Sequence, residues 1–154
     1  MWQRKQTVFL GIAALSLIAM IFFPIWRGQS ETGLHSLFPL HYTVKNGETA
    51  NTFYFPYSIT AMLAIAAATV CITSITRFSN RMLQLKLGLL NSVLMAGSMV
   101  AAVYMATNLI KTQQVAGTYG YALFMPIVAI ICNMIANRFI KKDEKLVKDS
   151  DRIR

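Results

Sequence analysis

The sequence predicts an all-α membrane protein: a bundle of four transmembrane helices with a small β-hairpin in the first outer loop. Three observations lead there. The chain of 154 residues is 55% hydrophobic and only 14% charged, with a mean hydropathy of +0.48. An average soluble domain carries about 25% charged residues. The apolar residues fall in four stretches that contain no Asp, Glu, Lys, Arg or His. Finally, the net charge is +9, and the basic residues that produce it are unevenly placed. So apolar a composition excludes intrinsic disorder, and the length fits one domain, here 1–154.

The first span is expected at 7–26. At about 1.5 Å per helical residue its length reaches roughly 30 Å, a bilayer core. It reads as a span and not a cleaved signal peptide, because no small-x-small site follows it. Instead Phe22-Phe23-Pro24-Ile25-Trp26 follows, a sequence suited to the headgroup level. The outer loop, 27–55, is too long for an idle connection. Within it Tyr42 to Lys45 and Glu48 to Tyr54 flank Asn46-Gly47, the pair preferred in a type I′ hairpin turn. His35 and His41 lie in the same loop and are expected to be solvated. Zinc needs three or four ligands with recognisable spacing, and none accompany them.

The second span is expected at 56–76, then a short basic connection from Arg77 to Lys86, and a third span at 87–110. Lys111 to Thr118 reads as a plain turn. The fourth span is expected at 119–137, bent at Pro126, which lacks an N–H to donate. The tail, 138–154, is expected to continue that helix into water. These stretches are apolar all round, which excludes the amphipathic helices of a soluble bundle. Thr60, Ala64 and Ala68, and Gly97 with Ala101, repeat every fourth residue and offer small surfaces for close helix packing.

Orientation follows from Lys and Arg, which are enriched in cytoplasmic segments. Twelve of the fifteen lie in the N-terminal tail, the second connection and the C-terminal tail. Both termini are therefore expected inside a bacterial inner membrane. Tyr42, Tyr54, Tyr57, Tyr119 and Tyr121 fall in or beside the outer loops, where amphipathic rings gather at an interface.

Chemistry-bearing residues are few. The spans hold no ionisable group of the kind that proton relays and ion pathways use. The embedded Glu of small multidrug exporters is absent. Cys71 and Cys132 form no C-x-x-C and read as small hydrophobes. No catalytic residue, metal or cofactor is expected, and an enzyme is disfavoured. Asn91 and Asn133 each lie about four residues from the inner end of their spans, so antiparallel packing would set them at one depth. They are the candidate interhelical polar contact. Arg138, Lys141, Lys142, Lys145 and Lys148 are the candidate contact to anionic lipid headgroups or to a membrane-protein partner. The tail mixes in acids and is too sparsely basic for nucleic acid.

Two terminal segments carry a resemblance. The opening Met1-Trp2-Gln3-Arg4-Lys5-Gln6-Thr7-Val8-Phe9-Leu10 resembles a Met-x-Gln-Arg-x-Gln-x-Val-Tyr-Leu start. The closing Lys142-Asp143-Glu144-Lys145-Leu146-Val147 and Asp151-Arg152-Ile153-Arg154 resembles a Lys-Asp-Glu-x-Leu-Val…Asp-Arg-Leu-Arg end. Both are similar to small four-span inner-membrane proteins of Bacteroidota, the family called domain of unknown function 4293. That resemblance implies location and topology, and no activity or site. The long first outer loop is also similar in layout to claudins, without their outer cysteine pair. The expectation is a non-enzymatic accessory or scaffold protein. The alternative is a transporter or enzyme handling a small molecule or lipid, with a polar site around Asn91 and Asn133.

Overall fold

The computed structural model describes residues 5–30, 33–47, 49–77 and 80–152, with side chains described to residue 147. The described chain forms helices Lys5–Met20 (α1), Ile59–Thr76 (α2), Arg81–Gln113 (α3) and Met125–Arg152 (α4). It also forms strands Trp26–Ser30 (β1), Gly33–Leu37 (β2), Tyr42–Asn46 (β3), Thr49–Phe53 (β4) and Gly117–Tyr119 (β5). The strands make one antiparallel sheet in the order β4-β3-β2-β1-β5. The all-α expectation is thereby overturned. So is the count of four spans: among the described residues three helices, α2, α3 and the stretch Tyr121–Val147, are long and apolar enough to cross a membrane.

The first apolar run divides for a local reason. After Met20 the backbone tightens, with Ile21 N–H bonded to the Ile18 carbonyl and Phe22 N–H to that of Ala19, both at 3.1 Å. Pro24 follows, and the Ile25 N–H turns to the Leu37 carbonyl at 2.7 Å. Ile25 thus leads into the sheet, Trp26 begins its first strand, and neither belongs to the helix. The 16 residues of α1 span about 24 Å, short of the roughly 30 Å hydrocarbon core. Trp26 is fully buried beneath the sheet, so it is a core residue and not the interfacial anchor expected.

The outer loop holds four strands where one hairpin was expected. The expected arms are β3 and β4, but the turn is displaced by one residue. Asn46 pairs with Thr49, so Asn46 ends β3 and is not the first turn residue. Gly47 adopts φ +61°, a left-handed conformation that costs glycine little. The fifth strand comes from the second outer connection, as Trp26 pairs with Tyr119 and Gly28 with Gly117. One sheet face is buried at Trp26, Gly28, His35, Leu37 and Tyr42, while Arg27, Gln29, Leu34 and Lys45 on the other are exposed. This is the period-two alternation of a sheet covered on one side.

The fourth helix starts later than expected. Gly117–Tyr119 is strand, Tyr121–Leu123 a single 3-10 turn, and α4 begins at Met125. Pro126 therefore sits in the first turn, where no intrahelical partner awaits its missing N–H. At the other end α3 reaches back to Arg81, inside the expected connection, because Asn80 caps it: its side-chain oxygen accepts the Leu83 N–H at 3.0 Å.

Each helix packs on two neighbours, α1 and α3 both on α2 and α4. Cross-contacts give the directions. Phe9 stacks on Phe139, and the Ser16 hydroxyl donates to the Met125 carbonyl at 2.9 Å, so α1 and α4 are antiparallel. One apolar cluster runs from the helices into the sheet, through Leu17, Met20, Ala64, Ala68, Ala102, Ala106 and Ala129 to Trp26, Leu37, Tyr42 and Val115. The alanines let the backbones approach closely.

Candidate functional site

Near the end of the helices opposite the sheet, a layer of amides crosses the core. On α3 the residues Gln84, Gly88 and Asn91 are spaced four and three apart, which places them on one stripe. The stripe is buried, and α2 and α4 close over it. Gln84 Nε2 donates to the Ser74 carbonyl of α2 at 2.7 Å. Asn91 Nδ2 lies 2.9 Å from Cys71 Sγ, also on α2. From α4, Asn133 Nδ2 donates to both the Gly88 carbonyl and Ser92 Oγ at 2.9 Å. Asn91 is 1% exposed and Asn133 0%.

The two expected amides therefore meet at the same stretch of α3, Asn91 as part of it and Asn133 from α4. They bond different partners there, not each other: Asn91 reaches towards α2, while Asn133 reaches from α4. Cys71, read from sequence as a plain hydrophobe, is the partner of Asn91. Gln84, Ser74, Ser92 and Asn137 were not singled out. Gln84 lies in a stretch read as a loop, although its spacing to Asn91 (seven residues, two helical turns) was available in the sequence.

At Gly88 the end of the Asn137 side chain from α4 fills the space a Cβ would occupy. A methyl group placed on Gly88 would collide with the Asn137 amide. Hydrogen-bond accounting in the layer is lopsided. The amide nitrogens of Gln84 and Asn133 bond carbonyls, which only accept, so the orientation of both amides follows from the network. Their oxygens, with Asn91 Oδ1, Asn137 Oδ1 and Ser74 Oγ, are buried and have no partner among the described residues. The surplus in this layer is thus mainly of acceptors.

The basic residues cluster beyond this layer. Lys5, Arg77, Lys86, Arg138, Lys141, Lys142 and Lys145 are exposed at the same end. Arg81 donates to the Asp143 carbonyl and ties the start of α3 to the α4 tail. The side chain of Lys148, the remaining tail candidate, lies outside the described residues.

A second polar feature lies under the sheet. His35 is buried, contrary to the solvated loop residue expected, with Nδ1 2.5 Å from the Tyr42 hydroxyl. Tyr42 also meets Tyr57 with ring centroids 5.3 Å apart. Burial, and secondarily the neighbouring Tyr57, pushes the Tyr42 phenol up to about 12, and burial raises that of Tyr57. His41 stacks on Phe38 at 5.1 Å. Among the described residues, no three His, Cys, Asp or Glu side chains come together as a metal site would need.

The family described as "Domain of unknown function (DUF4293)" matches residues 2–153. The chain belongs to this family. No curated protein matches it. The family match spans the helices, the sheet and the amide layer together, so it treats them as one unit.

Proposed function

We propose that this protein is an integral protein of a bacterial inner membrane, a non-enzymatic accessory or scaffold whose outer sheet and basic inner end are its contact surfaces. The observation that carries this reading is a reversed polarity. Between their charged ends the helices are apolar on their outward faces, with Leu15 68% and Leu89 72% exposed alongside Met62, Val93, Val100 and Ile131. The amides and serines instead face inward, at Ser16, Ser74, Gln84, Asn91, Ser98 and Asn133. Water would drive the opposite arrangement, whereas hydrocarbon favours this one. The basic end faces the cytoplasm, since Lys and Arg are enriched there. Arg138, Lys141, Lys142 and Lys145 rest on anionic headgroups, and the sheet lies on the opposite side.

Two measurements test the reading. The protein should resist extraction from membranes by alkaline carbonate. In whole cells an impermeant maleimide should label Arg27→Cys but reach Lys141→Cys only after the inner membrane is opened. Cys71 and Cys132 are buried and give little background. Extraction by carbonate, or labelling of Lys141→Cys from outside, would sink the proposal.

The unpartnered acceptor oxygens favour a second reading, a small molecule or lipid handled at the amide layer. Mass spectrometry of the purified protein would then find a donor-bearing compound that an Asn91→Leu, Asn133→Leu variant loses. An identical set of co-purified compounds from both would count against it.

A further inference from the structure

The sheet has two open edges, and they differ. At one, β5 is three residues long and begins with Gly117, which makes it a blunt edge. At the other, β4 is five residues long and exposed throughout. Its pairing with β3 runs without a bulge from Tyr42–Phe53 to Asn46–Thr49. Its sequence, Thr49-Ala50-Asn51-Thr52-Phe53, contains no charge and no proline. Proteins protect an edge with lysine, proline, a bulge or a covering segment. None of these devices is present in β4.

The turn shows which groups are open. In a two-residue hairpin the flanking pair, here Asn46 and Thr49, exchanges both backbone bonds. By alternation Thr49, Asn51 and Phe53 turn their N–H and C=O groups to β3. Ala50 and Thr52 turn theirs outward.

We propose that β4 pairs with the β4 of a second copy of this chain, antiparallel and centred on Asn51. In that register Ala50 meets Thr52 of the second copy and Thr52 meets its Ala50, which forms about four backbone hydrogen bonds. Asn51 faces its own equivalent across the two-fold axis. Thr49 lies opposite Phe53, an aromatic on a β-branched neighbour, a favourable cross-strand pair. The strand is neutral, so no like charges oppose the pairing. The nearest cations, Lys45 on each β3, fall in different cross-strand rows. They are separated by three strand spacings, about 14 Å, which exceeds the screening length of about 8 Å. A charged peptide would gain no ion pair from this strand, whereas an identical strand satisfies every outward group. An isologous two-fold contact is also the commonest way identical chains associate. The inference concerns the sheet alone and stands whether or not the scaffold reading does.

Asn51→Cys in the full-length chain, solubilised in mild detergent so that either relative orientation is open, tests it. Asn51 and its equivalent would form a non-hydrogen-bonded pair, about 4.5 Å between Cα atoms and inside the disulfide range. Mild oxidation should convert most of the 17.2 kDa chain to a species of twice that mass. Thr118→Cys, on the β5 edge, should stay monomeric. Adding Ala50→Pro removes an outward N–H without touching a β3 bond and should abolish the cross-link. The proposal is overturned by a monomeric Asn51→Cys, by cross-linking that survives Ala50→Pro, or by a mixed disulfide with a different protein. Carbonate extraction of the same cells reports separately on the membrane reading.

Discussion

At the scale of single residues, α3 and α4 meet where Asn137 packs over Gly88 and Asn133 bonds the Gly88 carbonyl. Gly88→Ala drives a methyl into the Asn137 amide, an overpacking defect that should cost about 1–3 kcal/mol. The companion Asn137→Ala opens that space, so the double variant should recover part of the loss. Thermal unfolding of the four species in detergent measures the coupling, and strictly additive losses would refute the contact. Tyr42 supplies a pH test. Burial pushes its phenol up to about 12 in the fold, from the ordinary value of 10.0. The folded chain therefore holds its proton where the unfolded chain has lost it. The associated stability is complete below pH 10 and declines as pH rises from 10 to about 12. Tyr42→Phe should flatten that decline in unfolding curves taken across this range.

At the scale of elements, sequence legibility tracked how local the determining interactions are. The interiors of α2 and α3 were readable because an apolar run of helical length contains its own hydrogen bonds. The β3–β4 hairpin was readable because Asn46-Gly47 marks a turn within a few residues. β1 and β2 were not. Trp26-Arg27-Gly28-Gln29-Ser30 carries little strand propensity, and its partners are Leu37 to Gly33 on one side and Tyr119 to Gly117 on the other. Trp26 is the residue that makes this strand structural, since the buried row Trp26, Leu37, Tyr42 joins the sheet to the helices. Trp26→Ala should cost about 3–5 kcal/mol, seen as a lowered unfolding midpoint. Pro126→Ala, in the first turn of α4, should leave that midpoint almost unmoved.

At the scale of the whole molecule, charge and polarity are arranged along one axis. The sheet occupies one end. Lys5, Arg77, Lys86, Arg138, Lys141, Lys142 and Lys145 occupy the other. A basic residue near an anionic surface contributes about 1 kcal/mol of attraction. Reversing Lys141, Lys142 and Lys145 to Glu should weaken the association of the protein, held in neutral-lipid nanodiscs, with phosphatidylserine-containing vesicles by more than tenfold at low salt. Binding to neutral vesicles should not change. Equal loss on both would mean the substitutions damage the fold and not a headgroup contact.

The sequence by itself determined α2, the interior of α3 and the segregation of positive charge, because each is a property of contiguous residues. It also marked Asn91 and Asn133 as the unusual groups of the apolar stretches. Only the tertiary structure decided what they bond: Cys71 from α2 for one, Gly88 and Ser92 of α3 for the other. It likewise decided that the outer loops form one sheet, since β1 and β5 are separated by most of the chain and neither can form alone. A helix satisfies its backbone within itself, so a local pattern announces it. A strand is satisfied only by its neighbour, and here the neighbours of β1 lie in two different loops.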